Sequence, residues 1–467
     1  MLQTLFFDFF AQFFFGMVFF AGIFGAGILI LKLFKIETTN FFLEASLAFF
    51  TSLTLFTTLS VSLLFLLPDK RATLAVFTVV YFLFSFGIFV WRLWTAGGRT
   101  FLPHLKKHWG AYVVLILLVF SFFLAIYKTS ILDEWLHRPV VKFFLENGMF
   151  PLKNPFNPAH ALTTTYHYGT QIIGAAIALV FRTGVSESLD VMKIGFFAAA
   201  YLLFFGLLFE WSRTRWYALA GAAFLLLCGG SFFIFDNFST SHVRFWGEYI
   251  GRPFNYPLSY SMAGITWVNI PLTAAFAVFL QKFFLGKGKG FSFWPYLFLA
   301  PLIVGFFLIS ELFGILTIGF VFFLTIWNFF QKDIPKKNII FAFSFLLIFL
   351  AGLFFTGGVV GNFFKDGSRL NGVATLRSVS NWGYPNDHNK TVIFSQSLVQ
   401  YLKDFLLEIL ALVILAVGLA RKKISFAGQP LFFLAVPICL VAPFVISTSM
   451  GNLNLFKLAA FGILALH

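Results

Sequence analysis

Residues 128–169 read KTSILDEWLHRPVVKFFLENGMFPLKNPFNPAHALTTTYHYG, and long apolar runs stand on both sides of them. The stretch gathers acids, bases, prolines and His and Tyr tips into one polar interruption. A segment of this kind, set between runs that read as membrane, is a loop at the water boundary. In a membrane protein the loop with the densest set of ionisable groups is the first place to look for chemistry.

Working outward, composition sets the class. The chain has 467 residues, of which 60% are hydrophobic and 11% charged, and its mean hydropathy is +0.90. A soluble domain cannot hide that much apolar surface, whereas a bundle of bilayer-spanning helices requires it. The 74 Phe are read mostly as lipid-facing filler. A net charge of +15 would suggest nucleic acid in a soluble protein. Here it reads as Lys and Arg in cytoplasmic joints, which set topology, and no nucleic-acid partner is expected. Cys228 and Cys439 each lie inside an apolar run, so neither a disulfide nor a metal site is indicated. The opening MLQTLFFDFFAQFFF has no basic n-region and no small-residue cleavage site, and it reads as a retained helix.

Apolar runs near 5–31, 41–67, 73–91 and 110–127 are each long enough for about 30 Å of hydrocarbon at ~1.5 Å per residue. The joint 92–109 carries Arg92, Arg99, Lys106 and Lys107 and no acid, which places it in the cytoplasm and 128–168 outside. Further runs follow near 193–209, 217–235, 264–281, 293–309, 312–329, 339–356, 402–420, 430–448 and 454–467. Basic joints at Lys282/Lys287/Lys289, Lys332/Lys336/Lys337 and Arg421/Lys422/Lys423 fall in the cytoplasm if loops 236–262 and 361–401 are external. That agreement requires 170–182, apolar for only a dozen residues or so, to be a short re-entrant or interfacial helix. The expectation is an all-α integral membrane protein with about thirteen crossings. The sequence stops inside an apolar run at His467, which suggests a missing carboxy-terminal portion.

Within the loop, TSILDEWLHRPVVKFFLENG predicts a helix lying on the membrane. Ile131, Leu132, Trp135, Leu136, Val140, Phe143 and Phe144 recur at helical spacing, and Asn147-Gly148 followed by Pro151 ends it. Glu134/Arg138 and Lys142/Glu146 are spaced for ion pairs. Ser130 and Asp133 fit a capping box. Asp133 and His137 would share a face toward water, and an acid held at the first turn of an external helix suits a general base. The following stretch, with Pro151, Pro155 and Pro158, is too proline-rich for a long helix. On its far side His160, Tyr166 and His167 are read as interface aromatics or substrate contacts. They do not make a matched set of metal ligands.

Asp133-Glu134, Gly148 with Pro151, and Tyr166-His167-Tyr168-Gly169 leading into a short helix together resemble the first external loop of GT-C glycosyltransferases. The likeness covers 128–235, and in this chain it begins after three additional amino-terminal spans. The resemblance implies a multi-span enzyme that moves a sugar from a polyprenyl-phosphate carrier to an acceptor outside the plasma membrane. It implies the loop carboxylate Asp133 as the catalytic residue, with Glu134 beside it, and it sets 1–109 as amino-terminal spans ahead of a core at 110–467. No cofactor is implied beyond a divalent metal, whose need is left open.

The residues suit that chemistry on their own. A phosphate leaves an anomeric carbon without needing a proton, so the paired carboxylates of a glycosidase are not required. One base and cations for the developing phosphate charge would be sufficient. Arg244 and Arg252 in loop 236–262, and Lys365, Arg369 and Arg377 in loop 361–401, stand where topology disfavours basic residues. Phosphate binding is one reason for them; headgroup contact or pairing with Asp366 and Asp387 is another. Two rival functions remain: a lipid-linked polysaccharide polymerase or ligase, and a transporter or lipid flippase. The second is disfavoured because no internal repeat is visible and Asp8, Glu44, Glu210, Glu311, Asp404 and Glu408, the acids in or beside the spans, sit mostly toward span ends.

Overall fold

The computed structural model describes residues 2–38, 40–95, 103, 106–126, 134–154, 157–161, 168–227, 269–285, 293–310, 314, 317, 319–321, 374–376 and 446–448. They fall in two compact units, Met1–Ala223 with Met262–Lys365, and Phe224–Ser261 with Asp366–His467. In the second unit, β3 (Ala374–Leu376) pairs antiparallel with β4 (Ile446–Thr448).

The first unit is helical. Its elements are α1 (Leu2–Leu33), α2 (Phe41–Leu66), α3 (Lys70–Thr95), α4 (Trp109–Ile126), α5 (Glu134–Asn147), α6 (Gly169–Phe181), α7 (Val185–Ser212), the start of α8 (Arg215–Leu227), α9 (Asn269–Leu285) and α10 (Phe293–Ile309). A short ribbon of β1 (Lys153–Asn154) and β2 (Asn157–Ala161) interrupts them. Four of the described helices, α1, α2, α3 and α7, are long and apolar enough to cross a membrane. The protein is a helical membrane protein.

Local chemistry fixes the helix ends. Lys35 closes α1 at φ 53°, and the Ile36 amide returns to the Leu31 carbonyl at 2.8 Å, a Schellman ending built on a non-glycine residue. Asn40 caps α2 by accepting from the Leu43 amide at 2.9 Å, while its own amide donates to the Gly206 carbonyl at 3.0 Å. Asp69 accepts from the Ala72 amide at the start of α3. Arg213 ends α7 in the left-handed region, its amide bonded to the Phe209 carbonyl.

α1 packs on α2, α3 and α7. It approaches two of them so closely that a side chain does not fit. A Cβ at Gly25 would stand 1.8 Å from the Ser85 carbonyl oxygen, and one at Gly27 would stand 1.8 Å from that of Ala48. Helix association in a bilayer relies on such close packing, because lipid is as apolar as the side chains.

One end of the unit is basic. There Arg92 meets Glu44 at 2.7 Å, Lys282 meets Glu210 at 3.0 Å, and Lys32 lies over the Trp91 ring. The Arg215 guanidinium donates to the Lys107 carbonyl at 2.6 Å. The joint at 213–215 therefore shares an end with the joint before α4. At the opposite end Phe65 meets Phe150 edge-on at 4.9 Å, and Gly148 lies against the Arg71 side chain. Tyr168, just before α6, stands at the Phe150 end, and Arg215, just after α7, at the basic end. The run expected at 193–209 starts earlier, at Val185, and it takes in the charged stretch before it.

Candidate functional site

α5 decides where the loop sits. His137, Val140, Val141 and Phe144 recur at helical spacing and are all buried, while Lys142 and Glu146 pair across the exposed side at 3.7 Å. Gly148 closes the helix at φ 62°, its amide returning to the Phe144 carbonyl. The buried stripe lies on α6, which begins directly after Tyr168-Gly169. α6 in turn lies on α7, and the three helices meet at Gly174. A Cβ there would stand 2.6 Å from Leu189 and 3.8 Å from Val141.

The polar side chains of this junction do not face water. His137 is fully buried, with its Nδ1 2.6 Å from Gln171 Nε2. The Thr170 hydroxyl donates to Gln171 Oε1 at 3.0 Å, which leaves the Gln171 amide to donate to the imidazole. Nδ1 is then the acceptor, and the ring proton belongs on Nε2. On α7, Lys193 stands 3.6 Å from Asp190, both of them buried. A hydrogen-bonded His–Gln pair and a buried Asp–Lys pair thus occupy one three-helix junction. Buried polar groups of this kind persist only when they are partnered, and once partnered they hold the elements in one arrangement.

This arrangement corrects one expectation. The sequence puts His137 on a water-facing side with Asp133, but in the structure it turns into the bundle. Its apolar neighbours three, four and seven positions on are the stronger guide to the buried face. Asp133, Tyr166, His167, Arg244, Arg252, Lys365, Arg369 and Arg377 lie outside the described residues. Glu134 is the first residue of α5 and His160 lies in β2; their side chains are outside the described part. Tyr168 is buried, edge-on to Phe150 at 5.9 Å. Among the described residues no group of three or more His, Cys, Asp or Glu is placed to hold a metal.

Sequence reasoning missed Gln171, Asp190 and Lys193. The signal for the last two was the pair spaced three apart in VSESLDVMK, at the edge of the run at 193–209. For Gln171 the only signal was a polar residue at the start of a short apolar helix.

The fold and this junction define a polytopic helical membrane protein whose loop helix is anchored in its core. No family model, no curated protein and no solved structure matches the chain.

Proposed function

We propose that the chain is a membrane glycosyltransferase of the GT-C kind. It takes a sugar from a polyprenyl-phosphate carrier and passes it to an acceptor hydroxyl on the external face of the plasma membrane. The observation that carries this reading is the anchoring of α5: the helix that begins at the loop acids is fixed to two core helices by His137 and its apolar stripe. A catalytic group must be held by a rigid support to act in a fixed geometry. The basic end is taken as cytoplasmic, so the Phe150 end and the loop face outward. α6 is then the re-entrant helix in a bundle of about thirteen crossings, with 110–467 as the catalytic core.

In the reaction, Asp133 accepts the proton of the acceptor hydroxyl while its oxygen bonds to the anomeric carbon. The bond from that carbon to the phosphate oxygen breaks, and polyprenyl phosphate leaves with the electron pair. Glu134, His160, Tyr166 and His167 line the approach of the sugar and acceptor. His137 acts through its bond to Gln171 as a positioning residue. Arg244, Arg252, Lys365, Arg369 and Arg377 stabilise the departing phosphate.

A transporter or flippase is the second reading, favoured by one observation: the Asp190–Lys193 pair buried inside a long apolar helix.

The carrier site is tested at Arg252 and Arg369, each beside a turn-forming residue. Alanine at either position is expected to raise the KM for a polyprenyl-phosphate sugar by about ten- to a hundredfold, the worth of one charged hydrogen bond. Lysine should already be harmful, because it cannot copy the bidentate fork of arginine. Unchanged KM and kcat in both alanine variants would leave these arginines as headgroup anchors and remove the phosphate clamp.

A further inference from the structure

We propose that the basic end carries a binding surface for anionic phospholipid headgroups, at the junction of α4 with the α7–α8 turn. The inference is independent of the chemistry at the opposite end. Four cations meet there: Lys106 and Lys107 just before α4, Arg213 in the turn and Arg215 at the first residue of α8. All four are exposed, and the Arg215 bond to the Lys107 carbonyl ties the two segments together.

None of the four is paired with a carboxylate among the described residues. The acids of this end are engaged elsewhere, Glu44 by Arg92 and Glu210 by Lys282, and Glu37 stands exposed on the turn before α2. Arg213 is held outward by the turn itself. Its φ is 58°, and the Ser212 hydroxyl bonds across the turn with Thr214. Beneath the pair of segments His108 is wedged edge-on between Phe42 and Phe209, at 5.3 and 5.6 Å, which fixes the start of α4 against the end of α7.

The apolar rim identifies the partner. Trp109 is 66% exposed, Trp211 53% and Trp216 78%, so three indoles stand beside the four cations. Exposed indoles are costly in water but suited to the headgroup level, where an apolar body and a polar tip are both satisfied. An acidic peptide or a nucleic acid would complement the charge and leave this rim in water. An anionic lipid satisfies both, with its phosphate on the cations and its glycerol and upper acyl chain on the rings.

The test uses the full chain reconstituted in phosphatidylcholine vesicles containing phosphatidylglycerol, with trace spin-labelled lipid of either kind. The relative association constant is read from the motionally restricted fraction. Wild type is expected to prefer phosphatidylglycerol, with a loss of about fivefold for each cation that contacts it. The preference should fade in about 1 M salt, where screening acts within ~3 Å. Lys106→Gln/Lys107→Gln/Arg213→Gln/Arg215→Gln should abolish it, and Lys32→Gln/Lys35→Gln, at the same end, should retain it. Since Arg215 also ties α8 to α4, the triple variant that keeps Arg215 should show most of the loss with an unchanged thermal unfolding profile. Wild-type preference in the quadruple variant, or equal loss in the Lys32/Lys35 variant, would overturn the proposal. So would a soluble acidic peptide or RNA that binds at this end when no lipid preference exists.

Discussion

Asp133→Asn is expected to lower sugar transfer by roughly 10²–10⁴-fold, the usual loss when a general base is removed. Asparagine keeps the size and much of the hydrogen bonding of the carboxylate but cannot accept the acceptor's proton. Asp133 directly precedes α5, whose stripe of His137, Val140, Val141 and Phe144 is buried in the bundle, so the substitution leaves the support of the site intact. Single-turnover transfer, with protein level and carrier binding measured alongside, separates chemistry from folding. If Asp133 only caps the helix, the variant should lose about 1 kcal/mol of stability and keep its activity. Glu134→Gln is the internal comparison, with a smaller defect expected. Equal and mild effects at both positions would remove the loop acids from the mechanism.

The second large effect is expected at Asp190. Asparagine there removes the carboxylate that stands 3.6 Å from the buried Lys193. Breaking a buried pair from one side costs about 3–5 kcal/mol, because the surviving charge keeps its desolvation cost without its partner. Lys193→Met, which strands the carboxylate instead, should cost about as much. The double variant Asp190→Leu/Lys193→Met should recover much of the loss, as an apolar pair needs no compensation. Thermal unfolding in a single detergent, read for all three variants, tests this order. An Asp190→Asn protein as stable as wild type would show that the pair is not structural and would strengthen the transporter reading.

The apolar helices were legible because a bilayer demands little beyond length and hydropathy. The runs near 5–31, 41–67, 73–91 and 110–127 correspond to α1, α2, α3 and α4. The short helix after Tyr168-Gly169 and the Asn147-Gly148 stop were also legible, since turn chemistry is local. The start of α7 was not. Hydropathy alone places a boundary where charge appears, and here Asp190 and Lys193 stand 3.6 Å apart inside the helix. The ribbon at 153–161 was equally hidden, because a two-residue strand has no period to read. The inward turn of His137 could be read once its partners at 140, 141 and 144 are counted. Its bond to Gln171 could not, since the two residues are brought together only by the packing of α5 on α6. The close approach of α1 at Gly25 and Gly27 likewise depends on partners far along the chain.

The most direct test of the catalytic assignment is donor consumption. Purified full chain in lipid is incubated with radiolabelled polyprenyl-phosphate sugars and a panel of hydroxyl acceptors, and label is followed in the lipid fraction. Sugar transfer predicts that label leaves the lipid fraction only when an acceptor is present, and that Asp133→Asn stops the loss. Label that stays on the carrier with every donor and acceptor, in protein that unfolds at its normal temperature, would contradict the assignment.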